Sequence, residues 1–387
     1  MTQRSLSTSA VTSIGLAGLA AAMGIGRFAF TPVFPLMQEH FGTSLVEGAW
    51  LAMANYIGYF VGAMGSLILT PRASRSMRWG LLAVALSTLA MSATDSLAVW
   101  CVLRLIAGIA SAFVLVGASA WALPHLAIRG RPDLAGWVFA GVGVGICIAG
   151  LATLGAASWG MGPAQIWFAL GAMAAVVAAY IWRPVGIQAQ AGTASEPPRP
   201  PPLDRESWIL IGCYGAFGFG YIIPATFLPA VARSLVPDPA VFGWTWPLFG
   251  LAAALSTIAV STIVQAVAPR KIAGWSLVVM AGGVLLPVLQ ESLVSVAVSA
   301  VCVGGTFMVM TMAGLQEARR VARGAPTKLM SALTSAFAIG QFAGPILIST
   351  GKSPAQALLT PSLFAVALLI VSAGVLLLRR EESLAKS

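Results

Sequence analysis

Two arginines lie inside long apolar runs of this sequence, where a charge is costly to bury. Arg27 stands in the middle of the first apolar run, and Arg104 stands about seven residues into the fourth. A charge inside a membrane-spanning helix costs about 2.5–3.5 kcal/mol on insertion scales, so such residues usually face a cavity and have a function. A guanidinium can hold an anion through two parallel hydrogen bonds. We therefore expect Arg27 to bind an anionic group; the alternative is that backbone carbonyls at a helix break take its donors.

Acidic residues are absent from the middle of the apolar runs, and none of the twelve lies deep in a predicted span. Cation antiporters driven by protons usually keep a titratable carboxylate in the cavity. Arginine does not deprotonate in proteins and cannot replace it. Two buried cations without a buried anion favour an anionic or zwitterionic substrate. A coupled proton would travel on the substrate itself or through Glu317 or His40 at the margins, although a solvated ion pair is the favoured interpretation of Glu317.

Polar and aromatic side chains in other apolar runs are weaker candidates for substrate contact. They are Asn55, Tyr59, Tyr214, Tyr221, Trp246 and Gln341. Aromatic residues of membrane proteins more often pack against neighbours or lie at the lipid interface, so packing is the alternative for each ring. The four cysteines are far apart, with no CxxC pair and no nearby histidine, which indicates core residues. The sequence therefore predicts no metal site and no cofactor.

The apolar runs themselves predict an all-α integral membrane protein. The chain is 58% hydrophobic and 9% charged, whereas soluble domains carry about 25% charged residues. Runs of about 20 apolar residues are long enough to cross a bilayer, and backbone in lipid must satisfy its own hydrogen bonds, which favours helices. Twelve spans are predicted, six in each half: 13–37, 46–69, 79–94, 97–122, 134–155, 163–183, 207–232, 241–266, 272–290, 293–316, 328–350 and 359–378.

The two halves repeat one sequence pattern. Residues 24–35 and 218–229 match at an offset of 194, which aligns Gly24 with Gly218 and Arg27 with Tyr221. Such repeats are typical of transporters that hold substrate between two bundles, and a departure from the symmetry can mark a site. We predict helix bundles at 1–183 and 207–387, joined by a proline-rich cytoplasmic linker at 184–206. Bends are expected at the prolines near the matched motifs, Pro32, Pro35, Pro224 and Pro229.

Basic residues are distributed unevenly between the predicted loops. Eighteen Lys and Arg residues fall in the loops and tails on the side of the termini, and two fall on the other side. This asymmetry predicts that both termini are cytoplasmic in a multi-pass protein of the inner membrane. The net charge of +10 then reflects topology and contact with anionic lipid headgroups, and a nucleic-acid partner is not expected. A monomer is expected.

The sequence resembles the major facilitator superfamily, and its opening Gly-Ile-Gly-Arg-Phe-Ala-Phe-Thr-Pro is similar to the YbfB/YjiJ-like branch. The fourth span carries Arg104-x-x-x-Gly108 followed by small residues, as is frequent in that superfamily. The resemblance implies that spans 1, 4, 7 and 10 line a cavity, and that Arg104 acts there or in proton coupling; a structural cation is the alternative. The superfamily's acidic position in the loop between spans 2 and 3 is Leu69 here, which puts the usual inner-gate charge relay in doubt.

Small residues in the spans predict close helix packing and gating positions. They are Gly108, Gly141, Gly145, Gly304, Gly340 and Pro345. The favoured function is a secondary transporter, by symport or antiport, for an organic anion or carboxylate. Efflux of amphipathic drugs on the same fold is the alternative. A non-transporting sensor and a polytopic membrane enzyme are the alternatives from other classes. We expect no enzyme, because the only two histidines, His40 and His125, lie near opposite ends of their spans and could not easily serve one site. No nucleotide-binding loop is present, so direct ATP drive is not expected.

Overall fold

The computed structural model describes residues 6–69, 71–186, 203–236, 238–264, 266–322, 326–346 and 354–378, and within these residues the chain is helical and has no strand. Twelve long helical segments are described. They are α1 (Thr8–Phe41), α2 (Leu45–Leu69), α3 (Ala73–Ala90), α4 (Leu97–Ile128), α5 (Ala135–Ser158), α6 (Pro163–Trp182), α7 (Arg205–Leu235), α8 (Thr245–Ile263), α9 (Pro269–Leu289), α10 (Leu293–Val321), α11 (Pro326–Ile346) and α12 (Pro354–Leu378). The predicted all-α fold with twelve long helices is confirmed.

Ten of the twelve described segments are long and apolar enough to cross a membrane by length and composition alone. The other two are α3 and α11. The first two turns of α3 contain Arg75 and Arg78, and α11 carries Lys328 and a series of Ser and Thr residues. Polar side chains in α11 fit its position, because α11 packs against α7 of its own half and against α2 of the first half.

Both halves use the same set of helix pairs. In the first half, α1 packs on α5, and both α2 and α3 pack on α4. In the second half, α7 packs on α11, and both α8 and α9 pack on α10. The pairs α3–α6 and α9–α12 complete the correspondence. The repeat in sequence is therefore a repeat in packing, and the molecule consists of two pseudo-symmetric bundles. Of the predicted linker 184–206, residues 187–202 lie outside the described residues, so its flexible character stays a prediction.

Helix α1 is interrupted in the middle, and this interruption breaks the symmetry. Residues Ala20–Ile25 form a π-helical turn, residues 26–29 form turns, and the α-helix resumes at Phe30. The matching helix α7 runs without a break from Arg205 to Leu235, through both of its prolines. The predicted bends at the prolines of both copies stay a prediction, because a helix without a break can still bend at a proline. The interruption in α1 lies before its first proline, Pro32, whose missing N–H cannot bond the carbonyl four residues earlier.

The two halves meet along α5 with α8 and along α2 with α11. Gly136, Gly143 and Gly150 follow one face of α5 at intervals of seven residues and lie directly against α8. A Cβ atom at Gly143 would collide with the backbone of Gly250 and Ala254. Small residues let two backbones approach closely in lipid. The contact between the halves is therefore tight from one end of α5 to the other.

The glycines predicted for packing lie at other close crossings. Gly141 and Gly145 face the backbone of α1, Gly108 faces α2, Gly304 faces α8 and Gly340 faces α7. Gly108 and Gly304 occupy equivalent positions of the two bundles, because α4 crosses α2 as α10 crosses α8. Pro345 lies in the last turn of α11.

Candidate functional site

Arg27 lies in the interrupted stretch of α1 and connects the two halves. Its side chain is 2% exposed, and its Nη2 donates a hydrogen bond to Oε1 of Gln341 on α11. The guanidinium carbon lies 3.7 Å from the ring centroid of Tyr59 and 5.7 Å from that of Tyr56, both on α2. A guanidinium over an aromatic face gains a cation–π attraction that grows when water is excluded. The charge is therefore held by rings and one amide.

Several buried polar atoms in this region have no hydrogen-bond partner among the described residues. They are Nε and Nη1 of Arg27, Nε of Arg104, Nε2 of Gln341, the hydroxyl of Tyr221 and Oδ1 of Asn55. A buried polar group without a partner costs about 1–3 kcal/mol, and more when it is charged. Three of the five N–H groups of Arg27 belong to Nε and Nη1. The unpartnered atoms are mostly hydrogen-bond donors, so an acceptor group would satisfy them.

Arg104 has a different set of contacts. Its Nη1 and Nη2 donate to the carbonyls of Gly26 and Arg27 at 3.1 and 3.0 Å, and its guanidinium lies 4.9 Å from the ring centroid of Phe30. Asn55 in turn donates its Nδ2 to the carbonyl of Arg104 at 3.0 Å. Arg104 thus satisfies carbonyls that the break in α1 leaves without helical donors. The carbonyl contacts considered above as the alternative for Arg27 are found at Arg104.

Aromatic rings from both halves surround Arg27. Tyr221 on α7 lies 5.0 Å from Phe307 and 5.7 Å from Phe337, in stacked geometry. Phe28 on α1 meets Tyr221 and Phe307 edge-on at 6.4 and 6.1 Å. Phe337 also lies 5.9 Å from the guanidinium carbon of Arg27. These rings form one cluster across the boundary between the halves, and pseudo-symmetry brings Tyr221 to the site opposite Arg27.

Two cavities flank the level of Arg27. The first, the inner cavity, measures about 10 Å³ and is lined by residues from α1, α2, α4, α7, α10 and α11, including Met23, one turn before Arg27. This volume holds one water molecule at most. The second, the outer cavity, measures about 100 Å³ and is lined by Thr31, one turn after Arg27, and by Glu39, Arg233 and Trp246. The conformation is thus closed at the inner cavity and wider at the end of α1 that leads away from the chain termini.

The predicted candidates divide between these places. Asn55, Tyr59, Tyr221 and Gln341 meet around Arg27, as described above. Tyr214 lies deeper, with its ring 6.0 Å from Phe337 and its hydroxyl donating to the carbonyl of Thr311 at 3.4 Å. Trp246 lies apart in the outer cavity, where its ring stacks on Phe249 at 5.1 Å.

Three phenylalanines of the cluster were missed by the sequence analysis. Phe28 follows Arg27 directly, Phe307 comes three residues after the matched Gly304, and Phe337 three residues before Gly340. Their closeness to repeated glycines was the available signal.

Glu317 requires a correction. It was expected to be solvated and outside a span, but α10 continues to Val321, and Glu317 is buried and pairs with Arg320 at 3.3 Å. His40, the other candidate for a coupled proton, is exposed near the end of α1. Within the described part of the chain, no three His, Cys, Asp or Glu residues form a group that could hold a metal ion.

Comparisons with known proteins agree with this architecture. Residues 19–377 match the family described as "Uncharacterised MFS-type transporter YbfB". The chain is 32% identical over 94 residues to the uncharacterized MFS-type transporter YceJ of Bacillus subtilis (strain 168), an alignment that spans 24% of either protein. The chain therefore matches about a quarter of the length of that relative.

Two solved structures share the fold. The human organic anion transporter MFSD10 (TETRAN) superposes with a TM-score of 0.68 at 16% identity, covering 97% of this chain and 99% of that one. The nucleoside transporter NupG superposes with a TM-score of 0.63 at 13% identity, covering 95% and 99%. Because the family match spans nearly the whole chain and the helices pack as in these transporters, the chain belongs to the YbfB-type family of major facilitator superfamily transporters.

Proposed function

We propose that this chain is a secondary active transporter that moves a small organic anion, most simply a carboxylate, across the inner membrane by alternating access. The observation that carries the proposal is the guanidinium of Arg27, which is buried at the boundary between the halves with Nε and Nη1 unpartnered. Family membership supports solute transport in general. The described solved structures share too little sequence with this chain to indicate its substrate.

The charge of Arg27 favours an anion over a neutral solute. Its contacts in the described structure are one amide and four aromatic rings, and none of them is acidic. A buried charge without a counter-charge is unfavourable, because desolvation is not offset by attraction. A carboxylate would supply both the negative charge and two acceptor oxygens for the unpartnered N–H groups.

Gln341 occupies only one nitrogen of Arg27. An entering carboxylate would take the N–H groups of Nε and Nη1 and compete for Nη2, where the amide oxygen of Gln341 is now bound. The inner cavity of about 10 Å³ has no room for this anion, so the halves must separate before it enters. The inner and outer cavities on the two sides of Arg27 would be the two routes of access, used in turn.

The distribution of basic residues supports an orientation with both chain ends in the cytoplasm. Eighteen Lys and Arg residues fall in segments on that side and two on the other. The positive-inside rule then makes the outer cavity the periplasmic route. A coupled proton would enter on the carboxylate of the substrate, because arginine keeps its proton.

Uptake into liposomes tests the proposal. Purified protein would be reconstituted, and flux of pyruvate, benzoate and quinate would be measured one at a time for the wild type, Arg27→Gln and Arg27→Lys. We expect saturable uptake of at least one carboxylate, and at least a tenfold loss for Arg27→Gln, since removing one partner of a buried charge pair costs about 2–5 kcal/mol.

The matched control is Arg75→Gln, which removes an exposed arginine at the start of α3. It should transport like the wild type. If Arg27→Gln and Arg27→Lys keep wild-type flux, Arg27 is not the anion site and the proposal is wrong.

Efflux of amphipathic drugs is a second candidate, and the aromatic cluster around Arg27 favours it. Rings offer apolar contact area without demanding a particular hydrogen-bond pattern. Lipophilic cations would have to lie beside the buried guanidinium, which repels them. Transport of such cations by the wild type and by Arg27→Gln at equal rates would favour this candidate over the anion carrier.

A further inference from the structure

The inner cavity next to Arg27 is lined mainly by aromatic faces. Phe28 and Tyr59 come from the first half, and Tyr214, Phe307 and Phe337 come from the second. Most of the other lining side chains are Met or Leu. Phe28, Tyr59 and Phe337 also lie within 6 Å of the Arg27 guanidinium, at 5.3, 3.7 and 5.9 Å. A molecule anchored at Arg27 and extending into this cavity would therefore lie against rings.

Three of the four hydroxyl groups that line this cavity donate to backbone carbonyls. Thr311 and Thr334 donate to the carbonyls of Phe307 and Met330 in their own helices, each at 2.8 Å. Tyr214 donates to the carbonyl of Thr311. The fourth hydroxyl-bearing residue, Tyr59, turns its ring face toward Arg27.

These hydrogen bonds limit which chemical groups the ligand can carry beyond its carboxylate. Hydroxyl groups of a sugar-like molecule would leave water and find few partners in this cavity, which costs binding energy for each one. An unsubstituted aromatic ring has no hydrogen bonds to water to lose, and it gains edge-to-face or offset contacts with the surrounding rings. The cavity thus discriminates because three of its four hydroxyl groups are already used within the protein.

We propose that the anion bound at Arg27 is an aromatic monocarboxylate, whose ring occupies the inner cavity and whose selection depends on Phe307 and Phe337. This inference rests on the proposed function, because Arg27 must hold the carboxylate. Phe28 and Tyr59 move with the first half, and Phe307 and Phe337 move with the second. Separation of the halves therefore opens the cavity between ring surfaces of opposite halves.

The test compares ligands that share a charge or a ring. Dissociation constants of benzoate, quinate and benzylamine would be measured by ligand-induced thermal stabilisation of the purified chain. Benzoate carries a carboxylate on an unsubstituted aromatic ring, and quinate carries a carboxylate on a hydroxylated ring. Benzylamine carries a positive charge beside an unsubstituted aromatic ring. We expect benzoate to bind at least tenfold more tightly than quinate, and benzylamine to bind more weakly than both.

Variants assign the effect to the cavity. Phe307→Leu and Phe337→Leu should each weaken the binding of benzoate about threefold to tenfold and leave the binding of quinate unchanged. The reason is that a contact between two aromatic rings contributes about 0.5–1.5 kcal/mol beyond the burial of their apolar area. The matched control is Phe168→Leu on the exposed face of α6, which should bind benzoate like the wild type. Quinate binding and the melting temperature without ligand report whether each variant is folded.

The outcomes separate this inference from the proposed function. If quinate binds as tightly as benzoate and both depend on Arg27, the carrier binds anions but the aromatic selection is wrong. The same conclusion follows if benzoate binding is unchanged in both phenylalanine variants. If benzylamine binds as tightly as benzoate, or if Arg27→Gln binds benzoate normally, the anion site itself is wrong and the inference fails with it.

Discussion

Two buried arginines with the same charge differ in their hydrogen bonds in this molecule. Arg104 directs Nη1 and Nη2 at carbonyls of the interrupted helix and leaves only Nε without a partner among the described residues, whereas Arg27 leaves both Nε and Nη1 without one. A guanidinium that caps carbonyls contributes to folding, because removing it leaves buried acceptors unsatisfied. A buried guanidinium with unpartnered donors lowers stability, because its desolvation is not offset. The two residues should therefore respond differently to the same substitution.

We predict that Arg104→Gln lowers the melting temperature and Arg27→Gln does not. The Arg104 variant leaves the carbonyls of Gly26 and Arg27 unpaired, at about 1–3 kcal/mol for each unsatisfied group. The Arg27 variant removes a buried charge that has no acidic partner. Thermal unfolding of both purified variants in one detergent measures the difference. Unchanged stability of Arg104→Gln together with loss of carboxylate binding would instead assign Arg104 to the substrate.

At the scale of the helices, the sequence predicted segments well and local geometry less well. Twelve apolar runs and one repeat offset were enough for the helix order, because each span must be apolar on its own. The π-helical turn of α1 and the bond from Arg104 to the carbonyl of Arg27 were not predicted, since that bond joins residues 77 positions apart. Phe307 and Phe337 were missed for the same reason: periodicity gives the face of a helix but not what that face meets.

The contact between α5 and α8 gives a prediction at this scale. Gly143→Ala should destabilise the closed conformation by about 1–3 kcal/mol, because its Cβ would collide with the backbone of Gly250 and Ala254 and force the helices apart. Gly155→Ala on the same helix is the control, since a Cβ there meets nothing within 4 Å. It should be neutral or stabilise by up to about 1 kcal/mol through helix propensity. Equal melting temperatures of the two variants would show that the glycine contact is not required.

At the scale of the whole molecule, the two halves are tied together at the level of the candidate site. Arg27 on α1 reaches Gln341 on α11, and the hydroxyl of Tyr56 on α2 lies 3.3 Å from that of Thr226 on α7. Under the proposed function, the amide oxygen of Gln341 holds the place on Nη2 that a substrate oxygen would take. On the same proposal, a neutral acceptor suits this place, since a guanidinium–amide bond is weaker than a guanidinium–carboxylate pair and is displaced more easily.

This arrangement predicts opposite effects for two substitutions of Gln341. Gln341→Glu would place a permanent carboxylate on Arg27, so we expect a higher melting temperature, no further stabilisation by added carboxylates and at least a tenfold loss of uptake. Gln341→Ala removes the internal competitor, so carboxylates should bind at least as tightly as to the wild type while the ligand-free protein melts earlier. Both effects follow from the strength of a charge-assisted pair in a buried site. If Gln341→Glu still binds and transports carboxylates at wild-type levels, the glutamate does not occupy the substrate's place on Arg27, and the amide does not hold the halves together as inferred.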